Sequence, residues 1–126
     1  MTGVQRAAFV VREYDEAIDF FVTVLGFDLV EDVDQGEGRR WVVVARGDGA
    51  SLVLSRAETP EQTASIGRQA GGRVAFFLFT DDFDGDYAAF CQRGVEFTEA
   101  PRVEPYGTVA VFCDLYGGLW DLIQPS

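Results

Sequence analysis

Hydrophobic positions along the chain switch between two spacings, and the switches divide it into elements. Residues 4–11 form a short apolar run of the kind a buried strand makes. Over residues 14–25, Ala17, Phe20, Phe21, Val24 and Leu25 fall at helical spacing. Asp15 and Glu16 sit where the helix dipole favours acids, and Gly26 is placed to end the helix. Residues 27–32, 39–45 and 51–55 read as strands, separated by the Gly36-Glu37-Gly38 and Gly47-Asp48-Gly49 turns. Thr59-Pro60-Glu61-Gln62 is a helix start: Thr59 caps, Pro60 suits the first helical position, and Gln62 completes a capping box. That short helix ends near Gly67, and Gly71-Gly72 releases the chain.

The second half repeats the first. Residues 73–80 read as a strand and residues 82–93 as a helix, with Phe83, Tyr87, Phe90 and Cys91 on one face and Gly94 after it. Residues 95–98, 108–112 and 119–124 read as strands. Tyr14 to Phe83 is 83 − 14 = 69 positions, Gly26 to Gly94 is 94 − 26 = 68, and Leu52 to Trp120 is 120 − 52 = 68. A repeat at a steady offset is a topological signal. It predicts an α+β fold of two tandem βαβββ modules, residues 1–56 and 73–126, joined by a connector at 57–72 within one domain spanning 1–126. One helix per module covers only one sheet face. Two such sheets side by side would form an open, incomplete barrel around a cleft, the default place for a small ligand.

The chain closes on Phe112-Cys113-Asp114-Leu115-Tyr116-Gly117-Gly118 followed by Leu119-Trp120-Asp121-Leu122-Ile123. In this strand-to-turn pattern Asp114 can bond its own backbone across the bend, and the glycines can take positive φ. Asp121 is a lone carboxylate in an apolar strand, costly to bury unless something meets it. The turn resembles the Phe-x-Asp-Pro-x-Gly-Asn turn and Glu-bearing last strand of the vicinal-oxygen-chelate superfamily, which holds glyoxalases, ring-cleaving dioxygenases and bleomycin-resistance proteins. Leu115 stands in the Pro position, Gly118 in the Asn position and Asp121 in the Glu position. The resemblance runs through the strand-helix opening of each half and implies the same paired-module fold.

Metal-dependent members of that superfamily take one ligand from the first and last strand of each module. The resemblance carries those positions onto Arg6, Val53, Ala75 and Asp121. Only Asp121 can ligate a metal, whose sites want three or four N, O or S donors, and a cation would be repelled by Arg6. The resemblance therefore implies the fold without the metal chemistry, and no cofactor is expected; a metal would have to find other ligands. Arg6 and Asp121 are read either as an ion pair standing where the metal would be, orienting a ligand, or as structural charges. Arg73, Phe77 and Phe79 share strand parity with Ala75, so Phe77 and Phe79 would line the cleft while Phe76 and Leu78 pack under the helices; the other reading is plain core, since both sheet faces need apolar groups. Trp41 and Tyr106, each with an apolar body and a polar tip, are further ligand contacts, although their parities differ.

Composition narrows the chemistry. There is no His, Lys or Asn among the 126 residues, which removes imidazole bases, Ser-His-Asp and Cys-His mechanisms and a Lys Schiff base. A net charge of −11 argues against nucleic acid; it either provides only solubility or favours a cationic ligand through the long-range field. Cys91 and Cys113 have no metal spacing and are read as small buried hydrophobes. Arg39-Arg40 is read as a solvated strand start, and Asp81, Asp82, Asp84 and Asp86 as an acid-rich first helical turn. No apolar run reaches the ~20 residues of a membrane span and no signal peptide is visible, so a cytoplasmic protein is expected.

The function expected is metal-independent binding of a small aromatic or cationic molecule, as the resemblance to bleomycin-resistance proteins implies, in a homodimer with no nucleic-acid or membrane partner. The alternative is an enzyme of the same fold, a glyoxalase-like lyase or isomerase or a dioxygenase, with Asp121 as acid-base group or metal ligand.

Overall fold

The computed structural model describes residues 2–126. The chain divides into two compact units, residues 1–66 and 67–126, so the connector is shared between them, its helix lying with the first.

The first unit runs β1 (Arg6–Val11), α1 (Tyr14–Asp19), β2 (Asp28–Gly36), β3 (Arg39–Ala45), β4 (Ser51–Arg56) and α2 (Pro60–Ser65). Its sheet has the order β1-β4-β3-β2, with β1 parallel to β4 and the other pairs antiparallel. A parallel neighbour needs a crossover, and the chain makes it through α1, β2 and β3. Phe9, Val11, Val42, Val44, Leu52 and Leu54 are all buried on one face of this sheet. Phe21 packs edge-on to Phe9 at 5.0 Å, so the helical segment covers that face.

The helix expected over 14–25 changes pitch. After Asp19 the segment Phe20–Val24 widens to a π turn, with Leu25 N–H donating to the Phe20 carbonyl at 3.0 Å. Two adjacent phenylalanines followed by Val22-Thr23-Val24 crowd a regular α turn, and the wider turn relieves this. Gly26, at φ +77°, then ends it as expected. Thr59 caps α2 as expected, accepting from Gln62 N–H at 3.1 Å, but the return bond of Gln62 Oε1 goes to Glu58 N–H at 2.8 Å, one residue before the cap, so the capping box is only half formed. Arg40 is more than a solvated strand start. It donates twice to Asp32 (2.7 and 3.1 Å) and once to Asp15 (2.8 Å), tying α1 to the β2–β3 hairpin.

The second unit runs β5 (Val74–Phe79), α3 (Phe83–Gln92), β6 (Arg102–Glu104), β7 (Gly107–Cys113) and β8 (Leu119–Pro125), with the sheet order β5-β8-β7-β6. This reproduces the first unit strand for strand, and the register repeats too. Ala8 pairs with Val53 and Val53 with Val43; Phe77 pairs with Asp121 and Asp121 with Val111. The chain is thus α+β, two tandem βαβββ modules, and neither sheet closes on itself.

Two expectations for the second unit need correction. Residues 95–98 do not form a strand. Phe97 makes a single bridge to Phe112, and the strand beside β7 is Arg102–Glu104. Pro101 has no N–H to give a ladder and constrains the residue before it, so the counterpart of nine-residue β2 is cut to three residues. Cys91 is exposed and Cys113 half-buried, so neither is a core residue. The buried stripe of α3 runs through Phe83 and Phe90, one position short of Cys91.

Candidate functional site

Register assigns the side chains of each sheet to its two faces. In the second sheet the helix side carries Phe76, Leu78, Phe112, Trp120 and Leu122, with Phe90 of α3 edge-on to Phe112 at 5.5 Å. The opposite face carries Phe77 and Phe79 of β5, Val111 of β7 and Asp121 of β8, with Asp121 directly between Phe77 and Val111. Phe77 is 58% and Phe79 61% exposed. Arg73 precedes β5, and a register shift between Val74 and Phe76 interrupts the alternation there, so parity does not carry Arg73 onto the face of Phe77.

Asp121 has no hydrogen-bond or ion-pair partner among the described residues. Partial burial raises its pKa above the ordinary 3.8; Arg102 opposes the rise and Glu99 adds to it. Arg102 reaches this face through the rungs Arg102–Val109 and Val109–Ile123. It is already engaged, donating to Glu104 at 2.9 Å, Glu99 at 3.0 Å and the Tyr106 hydroxyl at 3.4 Å. Tyr106 therefore sits in the β6–β7 turn as the phenol end of an arginine clamp, half-exposed.

The helix-free face of the first sheet is built differently. Arg6 donates to Glu31 Oε2 at 3.0 Å, the Trp41 indole N–H donates to the same oxygen at 3.1 Å, and the Arg6 guanidinium lies 5.8 Å from the indole centroid. Sequence reasoning singled out Arg6 and Trp41 and missed Glu31, the carboxylate that joins them. Arg6 thus has its ion-pair partner within its own module. Glu31 lies 25 and 10 positions from its two partners, and the bulge between Leu29 and Glu31 sets its register. Its one visible signal is a charge inside a strand.

The backbone of the last strand is held by the turn before it. Asp114 accepts from Tyr116 N–H (2.8 Å), Gly118 N–H (3.0 Å) and the buried Trp120 indole (2.9 Å). Burial raises its pKa, and those three donors work against the rise. A Cβ on Gly118 would lie 2.7 Å from Asp114 Oδ2, so the turn closes this tightly only with glycine there.

The residues do not suit the metal that the resemblance would place at these four positions. Arg6 is committed to Glu31, Val53 lies between Ala8 and Val43, and Ala75 has no donor, which leaves Asp121 as one oxygen ligand. Among the described residues no three of His, Cys, Asp or Glu are grouped to hold a metal ion, and no helix is long and apolar enough to cross a membrane.

The carboxyl of Asp121 makes one solution prediction. Because folding raises its pKa, it favours the protonated group. That contribution is fully present below about pH 3.8 and is lost as pH rises through the folded-state value. Asp121→Asn removes it, whereas Asp114, shifted the same way, stays in both proteins and cancels in the difference. Urea midpoints across that window should show the variant gaining on the wild type as pH rises; a pH-independent gap would contradict the assignment.

Comparison with known proteins agrees with the duplicated fold. Residues 3–122 match the family model described as Glyoxalase/Bleomycin resistance protein/Dioxygenase superfamily. An uncharacterised protein of Shewanella frigidimarina (strain NCIMB 400) is 57% identical over 120 residues, 93% of this chain and 89% of that protein. Among solved structures, UcmS2 superposes with a TM-score of 0.80 at 29% identity, covering 98% of both chains. TnmS3, an antibiotic binding protein from Streptomyces sp. CB03234, superposes with a TM-score of 0.73 at 35% identity, over 100% of this chain and 98% of its own. With the family matched over nearly its whole length, this chain belongs to the Glyoxalase/Bleomycin resistance protein/Dioxygenase superfamily.

Proposed function

We propose that this protein binds a small aromatic or cationic molecule without a metal, using the helix-free face of its second sheet, and works in the cytoplasm as a homodimer. The observation that carries the reading is the pair of exposed phenylalanines, Phe77 and Phe79, beside the partnerless carboxyl of Asp121. Exposed aromatic rings on a strand are otherwise a cost in water, and a ligand or second copy that covers them recovers it. The similarity to an antibiotic binding protein points the same way.

Untagged protein should carry no stoichiometric divalent metal, and Zn²⁺, Ni²⁺, Fe²⁺ and Mg²⁺ should leave its melting temperature unchanged. A panel of aromatic and cationic small molecules should contain some that raise it by several degrees, since a ligand at 100 times its Kd adds about 2.7 kcal/mol. Bound metal, or a metal-induced shift abolished by Asp121→Ala, would replace this reading with a metal-dependent lyase or dioxygenase. The raised pKa of Asp121 favours a second reading, in which that carboxyl is the acid-base group of a lyase or isomerase. Turnover of a small oxygenated substrate, lost in Asp121→Asn with binding retained, would select it.

A further inference from the structure

The two modules share a register and differ in how their charges are settled. On the first sheet Arg6 and Glu31 neutralise each other at 3.0 Å, with Trp41 hydrogen-bonded to the same carboxylate. On the second, one guanidinium, Arg102, faces three carboxyl groups: Glu99 at 3.0 Å, Glu104 at 2.9 Å, and Asp121, which it influences without an ion pair. Arg6 and Glu31 are thus matched one to one, whereas Arg102 is outnumbered by the carboxyl groups around it. Asp121 is also the carboxyl that lies beside the exposed rings of β5, Phe77 directly across from it and Phe79 one step further along the same face.

We propose that Asp121 is the counter-ion for a protonated nitrogen on an aromatic ligand whose rings lie against Phe77 and Phe79. The proposal rests on the binding function above and narrows its ligand class from aromatic or cationic to both at once. Phe77 and Asp121 are direct cross-strand partners, and Phe79 is the next residue of β5 on the same face. A planar ligand lying along β5 thus brings a substituent over β8 at Asp121. Phenyl faces attract cations as well as rings, so the two contacts reinforce each other. A neutral aromatic ligand would satisfy the rings and leave the carboxyl without a partner. Arg102 would compete for Asp121 if it were free, but Glu99, Glu104 and the Tyr106 hydroxyl hold it. The neighbours of Asp121 on β5 and β7, Phe77 and Val111, carry no charge; Arg102 and Glu99 are the charged groups that act on it.

The test uses two matched fluorescent probes, 9-(aminomethyl)anthracene, a cation at neutral pH, and 9-(hydroxymethyl)anthracene, its neutral counterpart. Binding to the full chain is followed by titration. The cation should bind about tenfold more tightly than the alcohol, the scale of one desolvated charge contact. Asp121→Asn should remove that advantage and leave the alcohol's affinity unchanged. Asp48→Asn, which removes one charge from the exposed β3–β4 turn, should preserve it, separating a local counter-ion from the long-range field of an acidic protein. In the wild type the cation's affinity should also rise with pH through the titration of Asp121 while the alcohol's stays flat. Equal affinities for both probes, or equal losses in the two variants, would overturn the counter-ion and leave the binding function standing. No binding of either probe would overturn both.

Discussion

Phe112→Ala should lower the unfolding free energy by about 4 kcal/mol, a large share of the 5–15 kcal/mol that holds a domain of this kind together. The ring is fully buried, with Phe90, Phe97 and Trp120 centred 5.5, 5.6 and 5.7 Å away. It touches three separate parts of the second module: the helix, the segment that bridges to β7, and the last strand. Truncation leaves a void that these aromatic neighbours are too large and too fixed to fill, so the transfer and cavity losses add. Phe112→Leu, which keeps most of the volume, should cost less than about 1.5 kcal/mol. Urea denaturation of the two variants makes the comparison. A loss under about 1.5 kcal/mol for the alanine variant would mean that the second module repacks freely, and the cluster would not be its core.

Asp114→Ala should cost about 3 kcal/mol and lower the melting temperature by roughly 10 °C. Three donors lose their acceptor at once, and the Trp120 indole among them is 2% exposed, out of reach of water. A buried donor left unmet costs more than the bond gave, which is why this short turn should rival a core aromatic. Asp114→Asn keeps one accepting oxygen and should fall between. The loss should reach the ligand as well, because Asp121 stands seven residues beyond Asp114 on the strand this turn launches (121 − 114 = 7). Melting curves with and without the aminomethyl probe read both effects. An alanine variant as stable as the wild type would show the turn to be held by its glycines alone.

The duplication was legible because hydrophobic spacing and glycine placement are local, and both modules keep them at one offset. Strand parity grouped Phe77 with Phe79, as the register does, but it could not allocate their face, because both faces of the sheet carry apolar side chains. Features set by competition between neighbours were not legible. The π turn at Phe20–Val24 arises from crowding that spacing does not record, since the same residues also fit an α-helix. Residues 95–98 have the apolar content of a strand, yet Pro101 decides where the ladder runs. Glu31 was invisible for another reason: its role exists only once β1, β2 and β3 have joined one sheet. Ala75 marks the limit of parity arguments, for the bulge beside it stops alternation from reaching Arg73.

The break at Pro101 bears on how copies of this chain can meet. A sheet edge is a row of unused donors and acceptors that another strand can join, and a long flat one invites fibrous aggregation. The β6 edge offers only three residues. The β2 edge offers nine, but it carries Asp28, Glu31, Asp32 and Asp34 and two register breaks. Two such strands laid side by side would set like charges together along a bent ladder. Of the four sheet edges, β6 is too short to template a partner and β2 repels its own kind, so neither of these two should join copies of this chain strand to strand.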